Sequence, residues 1–304
     1  MGGMKHWWKG LAGMLALAQP AVAAPTPPAA SAAAPLPRPA IWLLEDEDTK
    51  IYLFGTVHIF PSSLQWRSAA LDRVIGASDE LVMETPEASS SEMGDGAAIL
   101  ARMRANSAAP ILDRVSPAVR PQLQAAIEAT GMPTAYFDEL ETWGAAVLLQ
   151  GLQAYRQQGG EDISVTGSEE VLGSLFRASG RPIAGLETVE EQLGIFAALT
   201  PQAQSRFLEM TVSGASIVGM SEPEGNQRWA SGDVDAIAAE ARSIPPELHE
   251  PLLTRRNAKW TNWLVQRLSR PGTVLFAVGA GHLAGPDSVQ QMLAERGLRV
   301  RRFD

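Results

Sequence analysis

Ile51-Tyr52-Leu53-Phe54-Gly55-Thr56-Val57-His58 reads as a strand that runs into a glycine and ends on a histidine. Its continuous apolar run suits a strand covered on both faces of a sheet. A second stretch has the same form. Val274-Leu275-Phe276-Ala277-Val278 leads into Gly279-Ala280-Gly281-His282. The chain has 4 histidines. His6 falls in the N-terminal leader described below, so two of the remaining ones occupy these G-x-x-H strand ends. The motifs stand about 220 residues apart. Their repetition implies a fold that carries both imidazoles to one place. Histidine is the side chain most used as a metal ligand or as an acid and base near neutral pH.

Outward from these two strands, the pattern alternates. Ile41 to Leu44 and Lys50 to Phe54 flank an acidic connection and predict a β-hairpin. Trp66 to Ala77 has helical spacing, with Leu71, Val74 and Ile75 on one face. Glu80 to Glu84 is a short buried strand, and Pro86 blocks its continuation. The middle is helical. Ser116-Pro117 predicts a capped helix start running to about Thr130 and stopping at Gly131. Helices follow at Trp143 to Arg156 and Ser168 to Ala178, then a strand at Arg181 to Gly185. Thr188 with Glu191 forms a capping box for Val189 to Leu199. More helices are expected at Pro201 to Ser213, Pro223 to Ala230, Asp233 to Ala241, Pro246 to Leu253 and Arg256 to Leu268. The chain closes with the strand Thr273 to Val278, a helix at Pro286 to Arg296 and a strand at Leu298 to Phe303. The expected class is α/β, a mixed central sheet with a large helical insert.

Composition narrows the function. Lys5 and Lys9, a short apolar core from Gly10 to Ala18 and Ala21-Val22-Ala23 read as a secretory signal peptide over residues 1–23. Residues 24–39 are Ala/Pro-rich and read as a tether, followed by one domain over 40–304. The expected location is the periplasm. The mature chain has no apolar run long enough for a transmembrane helix. The sequence has 0 cysteines, which excludes disulfides, thiolate metal sites, cysteine nucleophiles and a lipoprotein anchor. The net charge is −9, with scattered acidic residues, and argues against a nucleic-acid partner.

Four polar residues stand just past predicted strands: His58, Glu84, Glu187 and His282. In open α/β sheets ligands bind beyond the carboxyl ends of the strands. His58, His282 and Glu84 form a three-ligand set for a divalent metal ion, with an open position for water. Glu187 opens a helix, where the helix dipole favours a carboxylate. Arg256 and Trp260 share a helix face; spacing alone points to a surface arginine stacked on Trp260, whereas an arginine aimed at the rim would suit a substrate carboxylate or an oxyanion. Trp229 and Trp263 read as core, and His249 as a surface residue.

In order along the chain, these residues resemble the TraB/GumN family, which includes the Tiki metalloproteases. The resemblance rests on Gly55-Thr56-Val57-His58 and Leu81-Val82-Met83-Glu84. It continues through Gly180-Arg181-Pro182-Ile183-Ala184-Gly185-Leu186-Glu187-Thr188 with Glu191-Gln192-Leu193, and Trp229 with Gly232-Asp233. It ends with Arg256-Asn257 and Trp260, and Val278-Gly279-Ala280-Gly281-His282-Leu283-Ala284-Gly285. One element departs: where the family often has G-x-D, this chain has Gly167-Ser168-Glu169, and Glu169 takes no assigned role. The resemblance implies an erythromycin esterase/ChaN-like fold. In the Tiki branch it implies metal-dependent peptide cleavage with manganese or cobalt, zinc being a further candidate ion, and it implies a functional place for Arg256 beside His58, Glu84 and His282. The leading expectation is an exported metal-dependent peptidase. The alternatives are a metal-independent esterase-like hydrolase, with His58 or His282 as base and Glu84 orienting it, and a non-catalytic protein that binds a peptide or haem.

Overall fold

The two G-x-x-H strands lie side by side and parallel. In the computed structural model, residues 36–85, 96–104, 109–157, 165–214 and 223–303 are described. The leader and most of the tether lie outside them, as does Pro86. The strands are β1 (Ile41–Glu45), β2 (Thr49–Thr56), β3 (Phe60–Pro61), β4 (Glu80–Met83), β5 (Val165–Thr166), β6 (Ile183–Gly185), β7 (Gly272–Gly279) and β8 (Val300–Arg302). Six of them form one sheet in the order β6-β4-β7-β2-β1-β8, and β3 pairs with β5 separately. β6, β4, β7 and β2 are mutually parallel, while β1 runs antiparallel to both β2 and β8. The expected mixed sheet is present, with its hairpin at β1 and β2.

The helices before β6 are α1 (Ala69–Ala77), α2 (Gly96–Met103), α3 (Arg120–Thr130), α4 (Thr134–Asp138), α5 (Thr142–Gln157) and α6 (Ser168–Ala178). After it come α7 (Val189–Ala197), α8 (Pro201–Val212), α9 (Pro223–Ser231), α10 (Val234–Ser243), α11 (Pro246–His249), α12 (Arg255–Arg267) and α13 (Val289–Glu295). Alternate residues of the parallel strands face two different cores, as the unbroken apolar runs require. Phe54, Leu81, Met83, Leu275 and Ala277 pack with Trp66, Leu71, Phe176 and Trp229. Leu53, Val82, Val274, Phe276 and Val278 pack on the other side with Trp260, Leu264 and Leu293. The insert has its own core, including Leu123, Phe137, Trp143 and Phe207, and Leu248 and Leu252 join it from α11 and the turn beyond.

Several boundaries differ from the sequence expectation, three of them around the insert and the second motif. The helix expected from Ser116 begins at Arg120; the Ser116 amide donates to Glu209 Oε1 at 2.7 Å, and residues 117–119 form a turn before the helix. The two helices expected around Pro246 and Arg256 are joined by one wide turn, Glu250–Thr254, with π-type bonding. Such turns often mark functional positions. The last helix starts at Val289, with Ser288 at its N-cap, not at Pro286; Ala280–Leu283 winds a short 3-10 turn that holds His282, and residues 284–288 form bends and turns between the two. Among the described residues, no helix is long and apolar enough to cross a membrane.

Candidate functional site

The sheet register brings the strand ends to one rim. Thr56 lies opposite Gly279, and Met83 is opposite both Ala277 and Gly185. His58, Glu84, Glu187 and His282 therefore emerge from adjacent parallel strands on the same edge, as expected for ligand sites of such sheets. Gly55 explains its own place. A Cβ there would sit 2.9 Å from Ala280 Cα, so the glycine of the first motif is the contact surface for the second. The Gly55 carbonyl accepts the indole N–H of Trp229 at 2.7 Å. A Cβ on Gly279 would lie 3.1 Å from Glu84 Oε1. Without a side chain, the Gly279 amide donates to that oxygen at 2.7 Å.

Arg256 sits at the centre of the rim, not on the surface: its side chain is 10% exposed. Nε donates to Glu187 at 3.1–3.2 Å. Nη2 donates to Glu84 Oε2 at 2.6 Å and to Glu187 Oε2 at 2.9 Å. Nη1 faces the Leu252 carbonyl at 3.3 Å and His282 Nε2 at 3.1 Å. A guanidinium has five N–H donors, and all five are engaged. Arg256 thus holds its neighbours in place and has no donor left for a substrate.

The next residue fixes the histidine. Asn257 Nδ2 donates to the Asp287 carbonyl at 2.9 Å, which leaves its Oδ1 facing His282 Nδ1 at 2.6 Å. Only an N–H on Nδ1 satisfies that contact, so Nε2 carries the lone pair that accepts from Arg256. Trp260 completes the cradle, with its ring 4.4 Å from the His282 ring and 4.6 Å from the Arg256 guanidinium carbon. Burial pushes His282 down, and Arg256 and His58 add to this against Glu84, lowering it to about 3. His282 is a neutral imidazole. Burial alone would raise Glu84, but Arg256, then His282, His58 and the Gly279 amide, pull it down to about 2. Gln192 Nε2 adds a bond to Glu84 Oε2 at 3.2 Å.

His58 has a different setting. Its Nδ1 lies 2.8 Å from Glu169 Oε1, and its side chain is 56% exposed. Glu169 is placed by Ser168, whose amide donates to the Val57 carbonyl at 2.9 Å and whose hydroxyl accepts from the Val57 amide at 2.8 Å. Glu169 lifts the imidazole to about 9, against a smaller opposing effect of burial. Water screens an exposed pair, so 9 marks the upper end of the shift. The charge of His58 is felt at Glu84 and His282.

The structure thus brings Glu84, Arg256 and His282 into direct contact and gives His58 its own carboxylate. Glu187, read from sequence as a helix-start carboxylate, is an Arg256 partner. Glu169 and Asn257 had no assigned roles, yet each orients a histidine. Among the described residues, no group of three or more His, Asp or Glu is placed to hold a metal ion. The local reason is Arg256. Its N–H groups take the His282 lone pair and, with Gln192, the Glu84 Oε2 atom, while the Gly279 amide binds Oε1. As arranged, His58, Glu84 and His282 do not fit a three-ligand set.

No curated protein and no solved structure matches the chain. The TraB/PrgY/gumN family matches residues 40–302, a span that takes in both G-x-x-H strand ends, Glu84, Glu187 and the arginine that joins them. The chain therefore belongs to the TraB/PrgY/gumN family.

Proposed function

We propose that this protein is a hydrolase of peptide or ester substrates in which His58, backed by Glu169, moves the proton. One observation carries this reading: the 2.8 Å Nδ1–Glu169 contact of a histidine that is otherwise open to solvent at the strand rim. A carboxylate on Nδ1 orients the ring and stabilises its protonated form, leaving Nε2 to exchange a proton with a substrate or water. The neutral ring accepts a proton at Nε2 from water as the water oxygen bonds to the substrate carbonyl. The imidazolium then returns that proton to the departing nitrogen or oxygen. His282 does not serve as the base, because its lone pair is taken by Arg256 and its affinity for a proton is low.

Metal-independent chemistry is favoured over the three-ligand arrangement because Arg256 occupies the donors that an ion would need. The test is hydrolysis of a panel of chromogenic esters and labelled peptides with EDTA present. Turnover should survive the chelator and fall by at least a hundredfold in His58→Ala, the lower range for a lost acid–base group. Turnover restored only by manganese, cobalt or zinc would overturn the metal-free reading. Tight peptide or haem binding without turnover would replace the hydrolase with a binding protein. The basic, apolar and small-residue order of residues 1–23 supports export, so the periplasm is the proposed site of action. Recovery only in the cytoplasmic fraction after osmotic shock would contradict this.

A further inference from the structure

Beside the rim lies a cavity of about 550 Å³ between α7 and α8 on one side and α11 and α12 on the other. Its apolar walls include Ile195, Ala198, Leu199, Ala203 and Pro251, and its inner end reaches Glu187 and Arg256. That volume lies in the range of sites that enclose a small molecule or a side chain. Two charge pairs stand at its mouth, Arg255 with Glu250 at 2.8 Å and Lys259 with Glu191 at 3.6 Å, and the Glu247 carboxylate lines it as an exposed, solvated group. Arg256 has already spent its donors. The cavity therefore presents apolar surface and little demand for a charged ligand.

Its position indicates what carries that apolar group. Glu187 follows β6, His58 follows β2, and β4 and β7 lie between them. Three strand spacings amount to roughly 14 Å. An extended chain covers that distance with about four residues at ~3.3 Å each. The rim between the two ends consists of Glu187, Glu84, Arg256 and His282. A peptide substrate lying along this rim with its scissile bond at His58 would carry one of its side chains to the cavity. We infer that this cavity is a recognition subsite for an uncharged aliphatic or aromatic side chain of an extended peptide, about four residues from the bond next to His58. The inference rests on the hydrolase reading for its substrate, but its binding test does not depend on turnover.

Gly194 lines the cavity, and a Cβ there would meet open space. Gly194→Trp should therefore fill the cavity without disturbing the core, and Ala198→Trp at an exposed position offers a second plug. The measurement is fluorescence anisotropy on the His58→Ala protein, with labelled eight-residue alanine-based peptides carrying one leucine moved position by position. One leucine position should tighten binding at least tenfold over the leucine-free peptide, and either tryptophan should remove that gain. No gain at any position, or a gain that survives both plugs, would overturn the subsite. A gain without wild-type cleavage of the same peptide would leave the subsite standing and sink the hydrolase reading alone.

Discussion

At the scale of single residues, the site divides into a closed half and an open half. The closed half is the Glu84–Arg256–Glu187–His282 network. Removing one partner from a buried ion cluster leaves an uncompensated charge, at a cost of about 3–5 kcal/mol. Arg256→Ala should lower the stability measured in urea by that much, and a change below 1 kcal/mol would contradict the network's role. The pH dependence has a definite sign. Glu84 is lowered from 4.5 to about 2, so its contribution is complete above 4.5 and is lost as pH falls through about 2. It is worth on the order of 3 kcal/mol. His282, lowered from 6.5 to about 3, acts in the same direction, since the unfolded chain takes up a proton between those values that the folded chain refuses. His58 has the opposite sign: its raised value contributes below 6.5 and is lost as pH rises toward 9. Urea midpoints should therefore fall with acid from about pH 6, and Glu84→Gln should flatten the fall below pH 4.5. An unchanged profile in that variant would refute the assignment. His58, Glu84, Arg256 and His282 were all legible in the sequence as strand-end or motif residues. Glu169 was not. Its partner lies more than 100 residues earlier, and a glutamate in the first turn of a helix has an ordinary electrostatic reason to be there.

At the scale of elements, the spacing within motifs becomes intelligible once the packing is known. In Arg256-Asn257-Ala258-Lys259-Trp260, the first residue ties Glu84 and Glu187 to His282. The second sets the His282 tautomer, and the fifth packs against the imidazole at a tilt and lies under the guanidinium. Helical spacing indicated the shared face of Arg256 and Trp260, but not that this face is buried. The small β3–β5 pairing escaped the sequence because Phe60 pairs with Thr166, more than 100 residues later. Gly55 shows how tightly the two strand ends are joined. Gly55→Ala would press a Cβ to 2.9 Å from Ala280, and overpacking of this kind costs about 1–3 kcal/mol. The variant should melt lower, and adding Ala280→Gly should recover part of the loss, because one of the two clashing carbons is then gone. Full additivity of the two changes in a thermal-melting cycle would show that the strand ends do not touch.

For the whole molecule, four parallel strands act as a ruler that sets Glu187, Glu84, His282 and His58 along one edge in strand order. The cavity lies at one end of that edge and the His58–Glu169 pair at the other. Strand order was only partly legible. The apolar runs identified the strands and their ends, but the insertion of β7 between β2 and β4 follows from long-range pairing that no local pattern encodes. On the proposed mechanism His58 transfers the proton and Glu169 sets its affinity. The pH dependence of kcat/KM, compared between the wild type and Glu169→Gln on the best substrate, tests this most directly. The wild-type rate should climb with pH to an inflection displaced from 6.5 toward 9, and the variant's inflection should return toward 6.5. Superimposable profiles, or an inflection that Glu169→Gln leaves in place, would contradict the account.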